Sequence, residues 1–116
     1  MAKVATRKAS DVQEERVAEK LGGFRTGNSG ANAWRKGDIH VVDASLLCEC
    51  KTVMSSKDSF SIKKEWIKKN REEAFANRLD NTAIAFNFYY EDKDDYYVID
   101  DKLMRFLIEK LKEEEK

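Results

Sequence analysis

The segment Leu46-Leu47-Cys48-Glu49-Cys50-Lys51-Thr52-Val53 constrains this chain more than any other, because it is an apolar strand carrying two charges set two residues apart. Side chains alternate between the faces of a strand, so Leu47, Glu49 and Lys51 share one side and Cys48, Cys50 and Thr52 the other. A carboxylate and an amine therefore stand together on one face of an element that otherwise asks to be buried. Burying two charges is costly unless they pair with each other or with a metal. The preceding run, Gly37 to Val42, also has strand character, and the short link Asp43-Ala44-Ser45 makes the two runs a hairpin. A two-residue turn at Ala44-Ser45 predicts Asp38 opposite Lys51 and on the same face as Glu49. A slip of one residue sends Asp38 to the other face unless a bulge restores it.

The rest of the chain supplies elements to pack on this hairpin. Ser10-Asp11-Val12-Gln13 has the Ser-x-x-Gln form of a capping box, and Leu21 is followed by Gly22-Gly23, which predicts a helix from about Asp11 to Leu21. A turn-rich loop follows at Gly27 to Asn32. After a polar loop from Met54 to Phe60, Ser61 is placed to cap a second helix reaching about Arg78. Thr82 to Phe88 and Tyr96 to Ile99 read as strands, and Asp100 or Asp101 caps a last helix carrying Leu103, Met104, Phe106, Leu107 and Leu111. Helix, two or three strands, helix, two strands, helix is the order of an α/β fold, a central mixed β-sheet flanked by helices. At 116 residues the chain is one domain, spanning 1–116.

Composition narrows the setting. No apolar run approaches the roughly 20 residues of a membrane span, so no membrane partner is expected. The basic N-terminus lacks the apolar stretch of a secretory signal, which predicts a cytoplasmic protein. Cys48 and Cys50, two apart on one strand, are poorly placed to pair with each other, and with a single histidine they fall short of a four-ligand zinc pattern. Reduced, buried thiols are expected. The 22 basic and 22 acidic residues cancel, but Lys57, Lys63, Lys64, Lys68, Lys69 and Arg71 gather in one stretch while acids collect at 91–95, 100–101 and 113–115. A basic face and an acidic face suit a protein that binds a polyanion on one side.

Two carboxylates meeting at one point, Asp38 and Glu49, are a natural site for a hard cation such as magnesium. A lysine beside them can orient or help deprotonate a water, or stabilise charge building on a phosphoryl oxygen. Gly37-Asp38, ten residues, then Glu49-Cys50-Lys51 resembles the PD-(D/E)XK nuclease superfamily, with Gly37 in place of the usual proline. Glu14, Leu21-Gly22-Gly23, Arg25, Ser29-Gly30 and Lys36-Gly37-Asp38 resemble, more narrowly, the small Holliday junction resolvases of archaea and phages, over about Lys8 to Val53.

That resemblance implies a restriction-endonuclease-like core and a magnesium-dependent endodeoxyribonuclease, with manganese able to substitute. Its catalytic set is Glu14, Asp38, Glu49 and Lys51, and its metal set is Glu14, Asp38, Glu49 and the backbone carbonyl of Cys50. It further implies branched DNA as substrate, a homodimer as working unit, and a bacterial, archaeal or phage-infected cell as setting. A nicking or structure-tolerant nuclease, and a catalytically silent DNA-binding module of the same fold, are the alternatives.

Glu14 and Glu15 compete for the helical role. At about 100° per residue Glu14 falls on the arc of Val17, Ala18 and Leu21, and Glu15 points off it. Glu14 is therefore selected, with Glu15 held as the alternative, and a carboxylate on a core-facing arc is costly unless a cation meets it. Arg25 and Ser29 are candidates for phosphate contacts. On the second helix Ile62, Trp66, Ile67 and Ala74 make the buried stripe, leaving Lys64, Lys68 and Arg71 to touch DNA phosphates from the other side. His40 shares the face of Asp38. The aromatics at 86–90 and 96–97 are expected to be strand core.

Overall fold

The computed structural model describes residues 2–26 and 38–114, with side chains from 7 to 26 and from 39 to 114. The elements are α1 (Ala2–Leu21), β1 (Phe24–Arg25), β2 (Asp38–Val41), β3 (Leu46–Lys51), α2 (Lys64–Ala76), β4 (Asn81–Phe86), β5 (Tyr96–Ile99) and α3 (Asp101–Glu114). The strands form one mixed sheet in the order β1-β2-β3-β4-β5, antiparallel except where β3 and β4 run parallel. This is the α/β fold with a helix-flanked mixed sheet that the sequence predicts.

Helix α1 begins at Ala2, so Ser10 lies inside it and starts nothing. The stretch Ala2 to Ala9 is dominated by Ala, Lys and Arg, all strong helix formers, and these carry the helix through the capping signal. Its end is the predicted one. Gly22 takes a left-handed φ of 70°, Gly23 N–H donates to Ala18 O at 2.9 Å and Gly22 N–H to Glu19 O at 3.3 Å. Those two bonds close a Schellman cap. Gly23 is required for a separate reason, since a Cβ there would stand 2.6 Å from His40 O.

The hairpin differs from expectation. The link from β2 to β3 is a 3₁₀ turn over Val42–Ala44 closed by Ser45 at φ 51° and ψ 47°, with Ser45 N–H donating to Val42 O at 2.9 Å. Four residues turn the chain instead of two, which shifts the pairing by two positions. Asp38 therefore lies opposite Glu49 and not Lys51. An even shift preserves the face, so the expected sharing of a face with Glu49 holds. The turn is pinned to the start of β4 by Ser45 Oγ donating to Asp80 at 3.1 Å and by Asn81 N–H donating to Ser45 O at 2.8 Å.

One sheet face carries Ile39, Val41, Cys48, Ala83 and Ala85, which pack with Val17 and Ala18 of α1 to form the core. The other face is covered by α2. There Ala74 is buried and Ile62, Trp66 and Ile67 are half-buried, as the predicted stripe requires, joined by fully buried Asn70, whose amide donates to Ala83 O at 3.1 Å. Helix α2 starts three residues after Ser61 and has no side-chain cap at Lys63. It stops at Ala76 because Arg78 takes a left-handed φ of 59°. Helix α3 is capped by Asp100, whose carboxylate accepts from Leu103 N–H at 2.8 Å.

Candidate functional site

The carboxyl ends of the parallel strands β3 and β4 meet the start of β2, so Asp38, Glu49 and Lys51 fall at one end of the sheet on the face that α2 covers. Ligands of open α/β sheets gather at such strand ends. Here they open a cleft of about 510 Å³ lined by Glu49, Lys51, Glu65, Trp66, Lys68, Lys69 and Glu72. The first turns of α2 supply most of the wall.

The Lys51 ammonium lies 3.7 Å from Glu49 Oε2, an ion pair longer than a hydrogen bond. Glu49 Oε2 is buried and accepts no hydrogen bond. Burial pushes the Glu49 carboxyl above its ordinary range, opposed by Lys51 and Lys69 and reinforced by Glu73. A buried oxygen without a donor, paired by register with a second carboxyl position at Asp38, fits a hard cation. Among the described residues no three His, Cys, Asp or Glu side chains gather at one point; the Asp38 side chain lies outside them, as does Ser29.

Glu14 lies on the buried arc of α1 and Glu15 off it, as the helical period requires, the Glu14 side chain being 5% exposed and that of Glu15 70% exposed. The cation that meets Glu14 is Arg25, which donates to it from Nε at 3.1 Å. Arg25 also binds Asp11 at 2.8 Å and Glu15 at 3.3 Å. A guanidinium engaged by three carboxylates is a clamp between α1 and β1, which is a different place from the phosphate contact expected for it. Arg25 is the register partner of Ile39, next to Asp38, so the clamp stands at the same end of the sheet.

Three parts of the site escape sequence reasoning. Gln13 is buried, and its amide donates to Lys51 O at 2.9 Å, tying α1 to the end of β3; its place four residues before Val17, on the buried arc, was the available signal. Asp95 sits in an acidic run that reads as solvated surface, yet its side chain is 0% exposed and takes two bonds from Arg16, both at 2.7 Å. Nothing in the run distinguishes it. Trp66 lines the cleft as well as packing, with Lys51 Nζ 4.3 Å and Lys63 Nζ 5.7 Å from its ring centroid.

Other candidates find ordinary places. His40 rests against Phe24 with ring centroids 5.5 Å apart. Phe86 stacks on Phe60 at 4.8 Å and meets Phe88 and Tyr96. The expected strand core of aromatics is not formed as a whole, because β4 ends at Phe86, which leaves 88–90 in the turn after it, and Tyr96 and Tyr97 of β5 are exposed. Cys48 and Cys50 are free thiols, and the interaction of the protonated Cys50 thiol with Cys48, together with burial, pushes Cys50 far above the usual thiol range. Lys64, Lys68 and Arg71 are all exposed on α2, with Arg71 3.5 Å from Asp100.

Glu49 yields a stability prediction with a definite sign. Its folded pKa is raised, so its stabilising contribution is complete below the ordinary carboxylate pKa and is lost as pH climbs through the raised value. Glu49→Gln should therefore match the parent in acid and exceed it by about 1 kcal/mol at neutral pH. Millimolar magnesium should raise the melting temperature of the parent and leave that of Glu49→Gln unchanged. Melts across pH and magnesium check both. A parent indifferent to magnesium and manganese rules out the cation.

Comparison with known proteins finds no matching family model, no matching curated protein and no matching solved structure.

Proposed function

We propose that this chain is a magnesium-dependent endodeoxyribonuclease of the PD-(D/E)XK kind that cuts branched DNA, four-way junctions above all, as a homodimer. One observation carries the reading: the register sets Asp38 opposite Glu49, with Lys51 two residues on, at the mouth of a charged cleft whose far wall carries Lys68 and Lys69 beside Glu65 and Glu72. The acid, second acid and lysine of the resemblance thus occupy one end of one sheet face.

Magnesium, when bound, supplies a Lewis acid that polarises a phosphoryl oxygen and favours ionisation of the attacking water. Asp38, Glu49 and the carbonyl of Cys50 are the groups assigned to hold it. Glu14, held in place by Arg25, is the third carboxylate assigned to that end. Lys51 presents its ammonium where negative charge builds on the phosphoryl oxygen. Water forms the new P–O bond, the scissile P–O bond breaks, and protons exchange with solvent at the incoming and leaving oxygens. Lys68 and Lys69 on the cleft wall hold the flanking phosphates, and Ser29 remains assigned to the same strand.

Labelled four-way junction and matched linear duplex, each with and without magnesium, test the reading. Cleavage of the junction only in magnesium is expected. Equal cleavage of both substrates means a structure-tolerant or nicking nuclease, and binding with no cleavage in magnesium or manganese means a silent DNA-binding module.

The exposed basic side of α2 gives a separate prediction. Replacing Lys64, Lys68 or Arg71 with alanine should weaken junction and duplex alike and flatten the slope of log affinity against log salt by about one unit each. A triple variant with the parent's slope in a salt titration removes that face from the interface.

A further inference from the structure

Lys51 needs something to hold it. A lysine has a flexible four-carbon stem, and the rotamer entropy of that stem resists fixing it. Its 3.7 Å approach to Glu49 is too long for a hydrogen bond, and its side chain is 30% exposed at the cleft mouth. Its remaining contact on the cleft wall is aromatic. The ammonium lies 4.3 Å from the centroid of Trp66, well inside the roughly 6 Å reach of a cation–π interaction.

The ring is itself fixed. Trp66 packs against Phe60 with centroids 6.1 Å apart, and Phe60 stacks on Phe86 at 4.8 Å and 22°. Phe86 is the β4 residue paired with Lys51 of β3. The contacts therefore close a circuit: strand to Lys51, Lys51 to Trp66, Trp66 to Phe60, Phe60 to Phe86, and Phe86 back to the strand beside Lys51. A circuit of packed rings gives the ammonium a fixed wall, which the 3.7 Å ion pair with Glu49 alone does not supply.

We propose that Trp66 is a positioning residue for Lys51, its ring face holding the ammonium beside Glu49 so that the amine is set before DNA arrives. The role of the amine in cleavage rests on the nuclease reading above, whereas the contact itself does not. Trp66 does not touch the reacting atoms. Its effect should fall on the chemical step and leave DNA binding alone, because Lys68 and Lys69 supply the phosphate contacts of the wall.

Trp66→Leu keeps apolar bulk against Phe60 and removes the π face, and Trp66→Phe keeps a smaller ring. Single-turnover cleavage at saturating protein should fall about tenfold in Trp66→Leu, with Trp66→Phe retaining most of the rate. Affinity for DNA without magnesium should match the parent in both. Equal rates in the leucine and phenylalanine variants overturn the proposal. Proton NMR supplies a readout independent of cleavage: ring-current shielding of the Lys51 ε-methylene protons should be present in the parent, partly kept in Trp66→Phe and lost in Trp66→Leu. If the parent cuts no DNA, the nuclease reading fails and these resonances alone decide the contact. If Trp66→Leu does not fold, the parent spectrum still decides, and unshielded Lys51 protons in it overturn the proposal.

Discussion

Asp95→Ala should destabilise the protein by about 3–5 kcal/mol, the largest effect expected of any single substitution outside the apolar core. The Asp95 carboxylate is fully buried, and it is the shared acceptor for Arg16, through two bonds of 2.7 Å, and for Gln13 at 3.4 Å, with Lys20 at 3.8 Å. Arg16 is itself 15% exposed. Removing the acid leaves a desolvated guanidinium with its charge uncompensated, and that penalty, more than the lost attraction, sets the magnitude. A domain of this size has only about 5–15 kcal/mol in total, so the melting temperature should fall by on the order of 15 °C. Replacing both partners with apolar residues of similar shape should restore much of the loss, because neither charge is then stranded. Urea titrations of the single and double variants measure both terms. A loss below about 1 kcal/mol for Asp95→Ala would mean that water reaches the pair and that it behaves as a surface ion pair.

The same network ties stability to the cleft. Gln13 donates to both Asp95 and the carbonyl of Lys51, so the strand end that carries the amine is held from beneath by the buried pair. The sequence could not show this. Asp95 belongs to a run of acids whose members other than itself are exposed, and which of them turns inward depends on Arg16 of α1, 79 residues away in sequence. Periodicity reports only neighbours along the chain.

What was legible had a local cause. Gly22-Gly23 ends α1, Asp100 caps α3, and the 3.6-residue period separates Glu14 from Glu15, all through interactions within one turn of helix. The face shared by Asp38 and Glu49 was legible because strand parity is robust to an even shift. The register itself was not, since Ser45 adopts a left-handed conformation uncommon for serine and is held there by Asp80 and Asn81, thirty-five and thirty-six residues on. Trp66 fell on the expected helical stripe, and its second role as a wall for Lys51 follows from the parallel crossover that lays α2 over β3.

In the proposed homodimeric nuclease, Leu107→Glu should separate the dimer into monomers and turn paired cutting of a four-way junction into single nicks. None of α3 is buried. Apart from half-buried Leu103, its apolar residues stand open, with Met104 49%, Phe106 56%, Leu107 42%, Ile108 38% and Leu111 62% exposed. Such a face on a helix is costly to leave in water, and a second copy is the occupant that the proposed function requires, because one Asp38-Glu49-Lys51 site makes one cut. In the proposed dimer a two-fold axis near Leu107 would run the two helices antiparallel and bring Leu103 against Leu111 of the partner subunit. A glutamate at the axis faces its own copy, so like charges and lost apolar contact act together. Light scattering should report a dimer for the parent and a monomer for the variant. Mixing the parent with Lys51→Ala chains should give heterodimers that nick one strand without resolving the junction, and Leu107→Glu should abolish that dominance. A parent that is monomeric at working concentration and still cuts both strands together would show that paired incision needs no partner, and would leave the open face of α3 without this role.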